Sequence, residues 1–208
     1  MTFTEILMNE AKDSNTFIKY MIKDMQKEFD TYIREMKADI PWWYNERALL
    51  GFFISGLLRN KSNFVLQEYS CYKGKKSAKP GRADLLFQYD GNKYLTEAKI
   101  CWTFINTKSD LTDAQKWANN VLIQANKYAY NENDIQKKKV FSLCFEVIYC
   151  GKASFGNYTD LIKDWIDKRA LHYLDFYSLI QLKTTILQNS KFENYYYPAL
   201  ATYGLFNK

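Results

Sequence analysis

Two acids and a lysine, Asp84, Glu97 and Lys99, stand close together in the run Gly81-Arg82-Ala83-Asp84-Leu85-Leu86-Phe87-Gln88-Tyr89-Asp90-Gly91-Asn92-Lys93-Tyr94-Leu95-Thr96-Glu97-Ala98-Lys99. Like charges brought together are costly unless something neutralises them. Oxygen ligands at this spacing suit Mg²⁺, with Mn²⁺ as its substitute, ions that keep several waters and complete their shell from carboxylates and substrate phosphate. A lysine beside such an ion would lower the pKa of an attacking water or offset charge on the attacked phosphate. The competing reading is a solvent-facing Glu–Lys pair on a hairpin, which is worth almost nothing. Glu-x-Lys alone is common. The added weight comes from the matching Asp within a hairpin that is otherwise apolar.

The elements that must position these groups are two strands and a tight turn. Leu85, Leu86 and Phe87 form an apolar run ending at Tyr89, and Asp90-Gly91 is a strong type I′ hairpin dipeptide, because both central residues of that turn need positive φ. A two-residue loop pairs Tyr89 with Asn92 and, counting outward, sets Asp84 opposite Glu97, on one face about 4.5–5.5 Å apart at Cβ. Lys99, two residues on, shares that face. A three-residue loop would shift the pairing by one and leave the acids diagonal.

Pro80-Gly81-Arg82-Ala83-Asp84 followed by Glu97-Ala98-Lys99 resembles the PD-(D/E)XK nuclease superfamily, and its RecB-type motif arrangement in particular. Gln124-Ala125-Asn126-Lys127-Tyr128 stands where that branch carries Gln-x-x-x-Tyr. The resemblance covers roughly residues 42–150. It implies that Asp84 and Glu97 are metal ligands, that Lys99 is the catalytic lysine, and that Gln124 and Tyr128 support the site or touch the substrate backbone. It also implies an acid on the helix before the sheet. Glu46 is preferred for that role over Glu68, although a carboxylate in a first helical turn is equally well explained by the helix dipole. Glu68 reads as a supporting group or an ordinary polar strand residue.

Lys73, Lys75, Lys76, Lys79 and Arg82 form a basic segment leading directly into Asp84. Beside a metal site such a loop would neutralise backbone phosphates, so Lys79 and Arg82 are expected to contact DNA. The net charge of +6 permits a polyanionic partner without requiring one. No P-loop signature is present, so a motor would be a separate chain. A homodimer is expected if both strands are cut at a symmetric site.

Cys71, Cys101, Cys144 and Cys150 are scattered with no Cys-x-x-Cys pair. They read as free thiols of a cytoplasmic protein rather than ligands of the iron–sulfur cluster some RecB-type nucleases hold. The single histidine, His172, gives no histidine-based metal site. No leader peptide is expected, and no apolar run is long enough to span a bilayer.

Residues 4–37 read as an amphipathic helix broken near Asp13-Ser14-Asn15, its stripe running through Ile18, Met21, Ile22, Met25, Phe29 and Ile33. A helix over 45–59, strands at 64–70, 83–89 and 93–100, a helix over 112–130, a strand from Val140 to Tyr149 and a helix over 158–169 follow. Leu174–Ile180 reads as a strand passing into a helix, and Tyr195-Tyr196-Tyr197-Pro198 as an aromatic tail. The expected fold is α/β. By resemblance it is a restriction-endonuclease-like core, a mixed central β-sheet flanked by helices, over 41–208, after an N-terminal helical extension over 1–40. The expected function is metal-dependent hydrolysis of phosphodiester bonds in DNA by a stand-alone endonuclease of restriction, defence or repair type. The alternatives are a catalytically silent DNA-binding protein on the same fold, or a protein-interaction module built on the first helix.

Overall fold

The apolar stripe at helical spacing and the apolar runs between turn residues each need a partner surface, and the sheet supplies it. The computed structural model describes residues 4–11, 16–36, 39–60, 64–73, 79–105, 114–128, 138–151, 157–168, 174–182 and 195–206. Among them, β1 (Thr4–Ala11), α1 (Thr16–Glu35), α2 (Glu46–Arg59), β2 (Phe64–Lys73), β3 (Lys79–Tyr89), β4 (Asn92–Phe104), α3 (Ala114–Tyr128), β5 (Lys138–Gly151), α4 (Tyr158–Lys168), β6 (Phe176–Leu182) and β7 (Tyr195–Gly204) follow in order, with a 3₁₀ turn at Pro41–Trp43. The strands form one sheet in the order β1-β6-β7-β5-β4-β3-β2. β4 and β5 run parallel; the other neighbours are antiparallel. The fold is α/β with a mixed central sheet, and no helix among the described residues is long and apolar enough to cross a membrane.

The stripe of α1 is inside the molecule: Ile18, Met21, Ile22, Met25, Phe29 and Ile33 are all buried, each worth roughly 1.5–3 kcal/mol of burial. Phe29 meets Trp42 edge-on and lies tilted over Phe52. Gln26 Nε2 donates to Ser178 Oγ at 2.6 Å, tying α1 to β6. Trp42 Nε1 donates to the Tyr197 carbonyl, fixing the 3₁₀ turn to β7. α2 starts where Asn45 caps it, its side chain accepting from the Ala48 N–H at 3.2 Å. Gly56 lets α2 lie directly on α1, since a Cβ there would stand 2.5 Å from the Met21 carbonyl oxygen.

Three expectations are corrected. Thr4–Ala11 is not helical; it is an edge strand paired with β6 along its length, so the N-terminal extension is not helical throughout. Leu, Met, Glu and Ala favour helix only weakly, and a neighbouring strand with open backbone groups outweighs that preference. Leu174–Ile180 does not pass into a helix, because Phe176–Leu182 is strand to its end. The aromatic tail is the start of β7, which sits between β6 and β5. The β5–β7 register shifts between Ile148 and Cys150, opposite Tyr197 and Pro198, which gives the proline a place in the ladder where its missing N–H is tolerated.

Candidate functional site

Asp90 and Gly91 both have positive φ, the conformation a type I′ turn requires. The β3–β4 register then runs from Tyr89↔Asn92 to Leu85↔Thr96. β3 stays paired with β2 beyond that point, from Leu85↔Gln67 outward to Lys79↔Lys73, while its ladder with β4 stops. The backbone N–H groups of β4 past Thr96 therefore need acceptors on that side. Carboxylates supply them. Asp84 Oδ2 accepts from the Ala98 N–H at 2.6 Å, and Glu46 Oε2, from the first turn of α2, accepts from the Ile100 N–H at 3.1 Å. These two amides are two residues apart on one strand, so the acids are seated side by side, roughly 6.5 Å along the backbone, with Lys99 between them.

Glu97 and Lys99 point to one face of β4. Glu97 is buried, and its Oε1 lies 3.2 Å from Lys99 Nζ. The electrostatics follow from this crowding. Burial raises the pKa of Asp84, against the Ala98 hydrogen bond and the Lys99 charge, which lower it. Burial likewise raises Glu46, against Lys99, and the neighbouring Asp84 charge adds to the rise. For Lys99, burial acts to lower the pKa, but the charges of Glu97, Glu46 and Asp84 outweigh it and hold the ammonium above its usual value. When all are ionised, three acids and one lysine leave a local charge of −2, which a divalent cation would balance. Asp84 Oδ1 and Glu46 Oε1 are not used in the two backbone bonds. Among the described residues, no three His, Cys, Asp or Glu side chains gather into a group that would hold a metal ion by themselves. A divalent ion held here would need water or other oxygen ligands beside these carboxylates.

Glu68 lies next to this cluster. Its φ is +51° in the middle of β2, and its carboxylate sits 3.1 Å from Arg47 Nη2 and 3.7 Å from Arg82 Nη1. The charges of Glu68 and Arg47 both act on Asp84. Arg47, the neighbour of Glu46, carries no motif of its own; its place in the first turn of the helix carrying a candidate ligand is the signal the sequence offers. A second unread group is Glu146. It is buried on β5, where it accepts from Tyr203 Oη at 3.1 Å and from Thr103 Oγ1. A carboxylate inside an apolar strand run was its signal. Cys101 and Cys144, near it on adjoining strands, are buried and not in disulfides, as is Cys150.

The remaining expected residues are not bonded to this cluster among the described residues, or lie outside them. Gln124 is exposed on α3, whose Ala118 and Val121 turn inward, and among the described residues it bonds to none of the four charged groups. Tyr128 closes α3 and Lys79 opens β3, but their side chains lie outside the described residues, as do the basic loop over 74–78 and His172. No family model, curated protein or solved structure matches this chain.

Proposed function

We propose that the protein is a metal-dependent nuclease that hydrolyses phosphodiester bonds in DNA, built on a restriction-endonuclease-like core. One observation carries the reading: Asp84 and Glu46 are anchored on successive outward N–H groups of β4, on either side of Lys99, where the β3–β4 ladder stops. Asp84, Glu97 and Glu46 would hold Mg²⁺, which when bound acidifies water and offsets charge on the phosphate under attack. Lys99 stays protonated at neutral pH, because three neighbouring carboxylate charges favour its cation. It therefore works as a hydrogen-bond donor and positive charge toward the phosphate or the attacking water, not as the base that deprotonates it. The backbone bonds of Asp84 and Glu46 fix each carboxylate, so little ordering is left to do when substrate arrives.

A silent DNA-binding protein on the same fold is the second reading. It is favoured by the closeness of Lys99 to buried Glu97, which already balances one of the three acids. Cleavage separates the two. Closed circular, linear and single-stranded DNA are incubated with Mg²⁺, Mn²⁺ or EDTA. Wild type is expected to cut only with metal; Lys99→Ala should lose roughly 10²–10³-fold in rate, as removal of one charge-stabilising donor does elsewhere, and Asp84→Ala at least as much. Metal-independent cutting, or cutting that survives Asp84→Ala, sinks the nuclease reading at this site.

A further inference from the structure

A residue other than glycine at φ +51° in mid-strand is held against its own preference. Register does not demand it, since Gln67↔Leu85 and Tyr69↔Ala83 on either side keep one continuous count. The left-handed backbone instead serves the side chain, aiming Glu68 at two guanidinium groups that come from different elements, Arg47 on α2 and Arg82 on β3. Both arginines are largely exposed, at 78% and 68%, and the carboxylate between them is 41% exposed. Exposed ion pairs of this kind are weak and exchangeable. A phosphodiester is a better partner for two guanidinium forks than a single carboxylate, because it is matched to them in charge and geometry.

We infer that Arg47 and Arg82 form a phosphate clamp beside the Asp84 site and that Glu68 is its built-in counter-ion, holding the place that a nucleic-acid backbone phosphate takes on binding. The role assigned to the phosphate rests on the nuclease reading; the clamp itself rests on the three side chains. In the free protein Glu68 keeps both arginines turned to one point. On binding, the carboxylate yields, and the clamp seats a phosphate adjacent to the one that would be cut.

The test is binding of a fluorescein-labelled oligonucleotide, followed by anisotropy in EDTA over a series of NaCl concentrations, so that no cutting is needed. Glu68→Gln keeps the size of the side chain and removes the competing charge, and is expected to bind roughly fivefold tighter. The double variant Arg47→Ala/Arg82→Ala should bind more weakly, with a log–log salt slope shallower by about two, roughly one for each arginine. All three positions are exposed, and an unchanged Tm in each variant confirms that folding is intact. An unaltered slope in the double variant overturns the clamp, as does absence of binding by wild type and Glu68→Gln alike. The two readings fail separately. Metal-dependent cutting with an unaltered slope removes the clamp and leaves the nuclease; the expected binding pattern without cutting in any metal removes the nuclease and leaves the clamp.

Discussion

For Asp84 and Glu46, ionisation is opposed chiefly by burial. Their folded-state pKa values lie above the ordinary ones, so over the interval between the two the native state holds protons that the unfolded chain has released. Their stabilising contribution is fully present below the ordinary carboxylate range and is lost as pH rises through the raised values. Asp84→Asn and Glu46→Gln keep an oxygen to accept from Ala98 and Ile100 but carry no charge. Each should melt higher than wild type at pH 7, because the buried charge that opposes folding is gone. The gain should vanish below about pH 4, where wild type is neutral at both positions as well. Thermal unfolding followed across pH checks it, and a variant that melts lower at pH 7 but not at pH 4 would mean that the ionised acid stabilises the fold. On the nuclease reading these variants would also lose activity, the exchange of stability for function expected of residues placed for chemistry. At this scale the sequence was partly legible. Asp90-Gly91 specified the hairpin as far as Leu85↔Thr96, but Asp84 and Glu97, expected to stand opposite each other, lie beyond the last pair of that ladder, and Asp84 accepts from the Ala98 N–H instead. Glu46 reaching the Ile100 amide depends on how α2 docks, and the left-handed turn at Glu68 depends on the arginines that surround it; neither is written in local spacing.

Among the elements, α2 matters most to the site, because its first turn carries Glu46 and Arg47 while its last turns pack on α1. Gly56 is the contact that sets this packing. An added methyl would stand 2.5 Å from the Met21 carbonyl oxygen and 3.2 Å from the Met25 amide nitrogen, both backbone atoms of α1, so the helices must separate. Overpacking of this kind costs about 1–3 kcal/mol, against a gain of up to about 1 kcal/mol from replacing glycine within a helix. Gly56→Ala is therefore expected to lower stability by about 1–2 kcal/mol and, by displacing α2, to reduce metal-dependent cutting as well. Urea unfolding should show a lower midpoint with an unchanged slope; a midpoint at or above that of wild type would show that α1 can give way without cost. Elements with local signatures were readable: the apolar segment that begins at Asn45 announced α2, and the spaced apolar residues of α1 announced a buried face, whereas the cap at Asn45 itself emerged only from the structure. β1 was not readable, because its strand character comes from β6, far away in sequence. β7 was hidden for a different reason: a strand covered on both faces shows no alternation, and its proline argues against a strand unless the bulge that holds it is known.

At the scale of the whole molecule, the interrupted β3–β4 ladder is where several parts of the fold meet. β2 and β3 hold each other along their lengths, α2 rests on α1, and β4 is joined to β5 over the full parallel register. Asp84, Glu46 and the Glu97–Lys99 pair bring one group from each of these bodies to a single place. On the nuclease reading, a divalent ion held by Asp84, Glu46 and Glu97 together with water would bind only when all three bodies are in register. Its binding energy would then add directly to folding, by RT ln(1 + [L]/Kd). At a Mn²⁺ concentration 100 times Kd this amounts to about 2.7 kcal/mol, or roughly 5–10 °C in Tm for a chain of this length. Wild type melted in EDTA and then with increasing Mn²⁺ should show that rise. Asp84→Ala and Glu97→Ala should not, although Asp84→Ala leaves the ion two of its three carboxylates. Equal rises in wild type and both variants would place the ion elsewhere on the surface. No rise in wild type at millimolar Mn²⁺ would mean that the acids, with Lys99 among them, are balanced without a metal, and the silent binding protein would then be the better account of the fold.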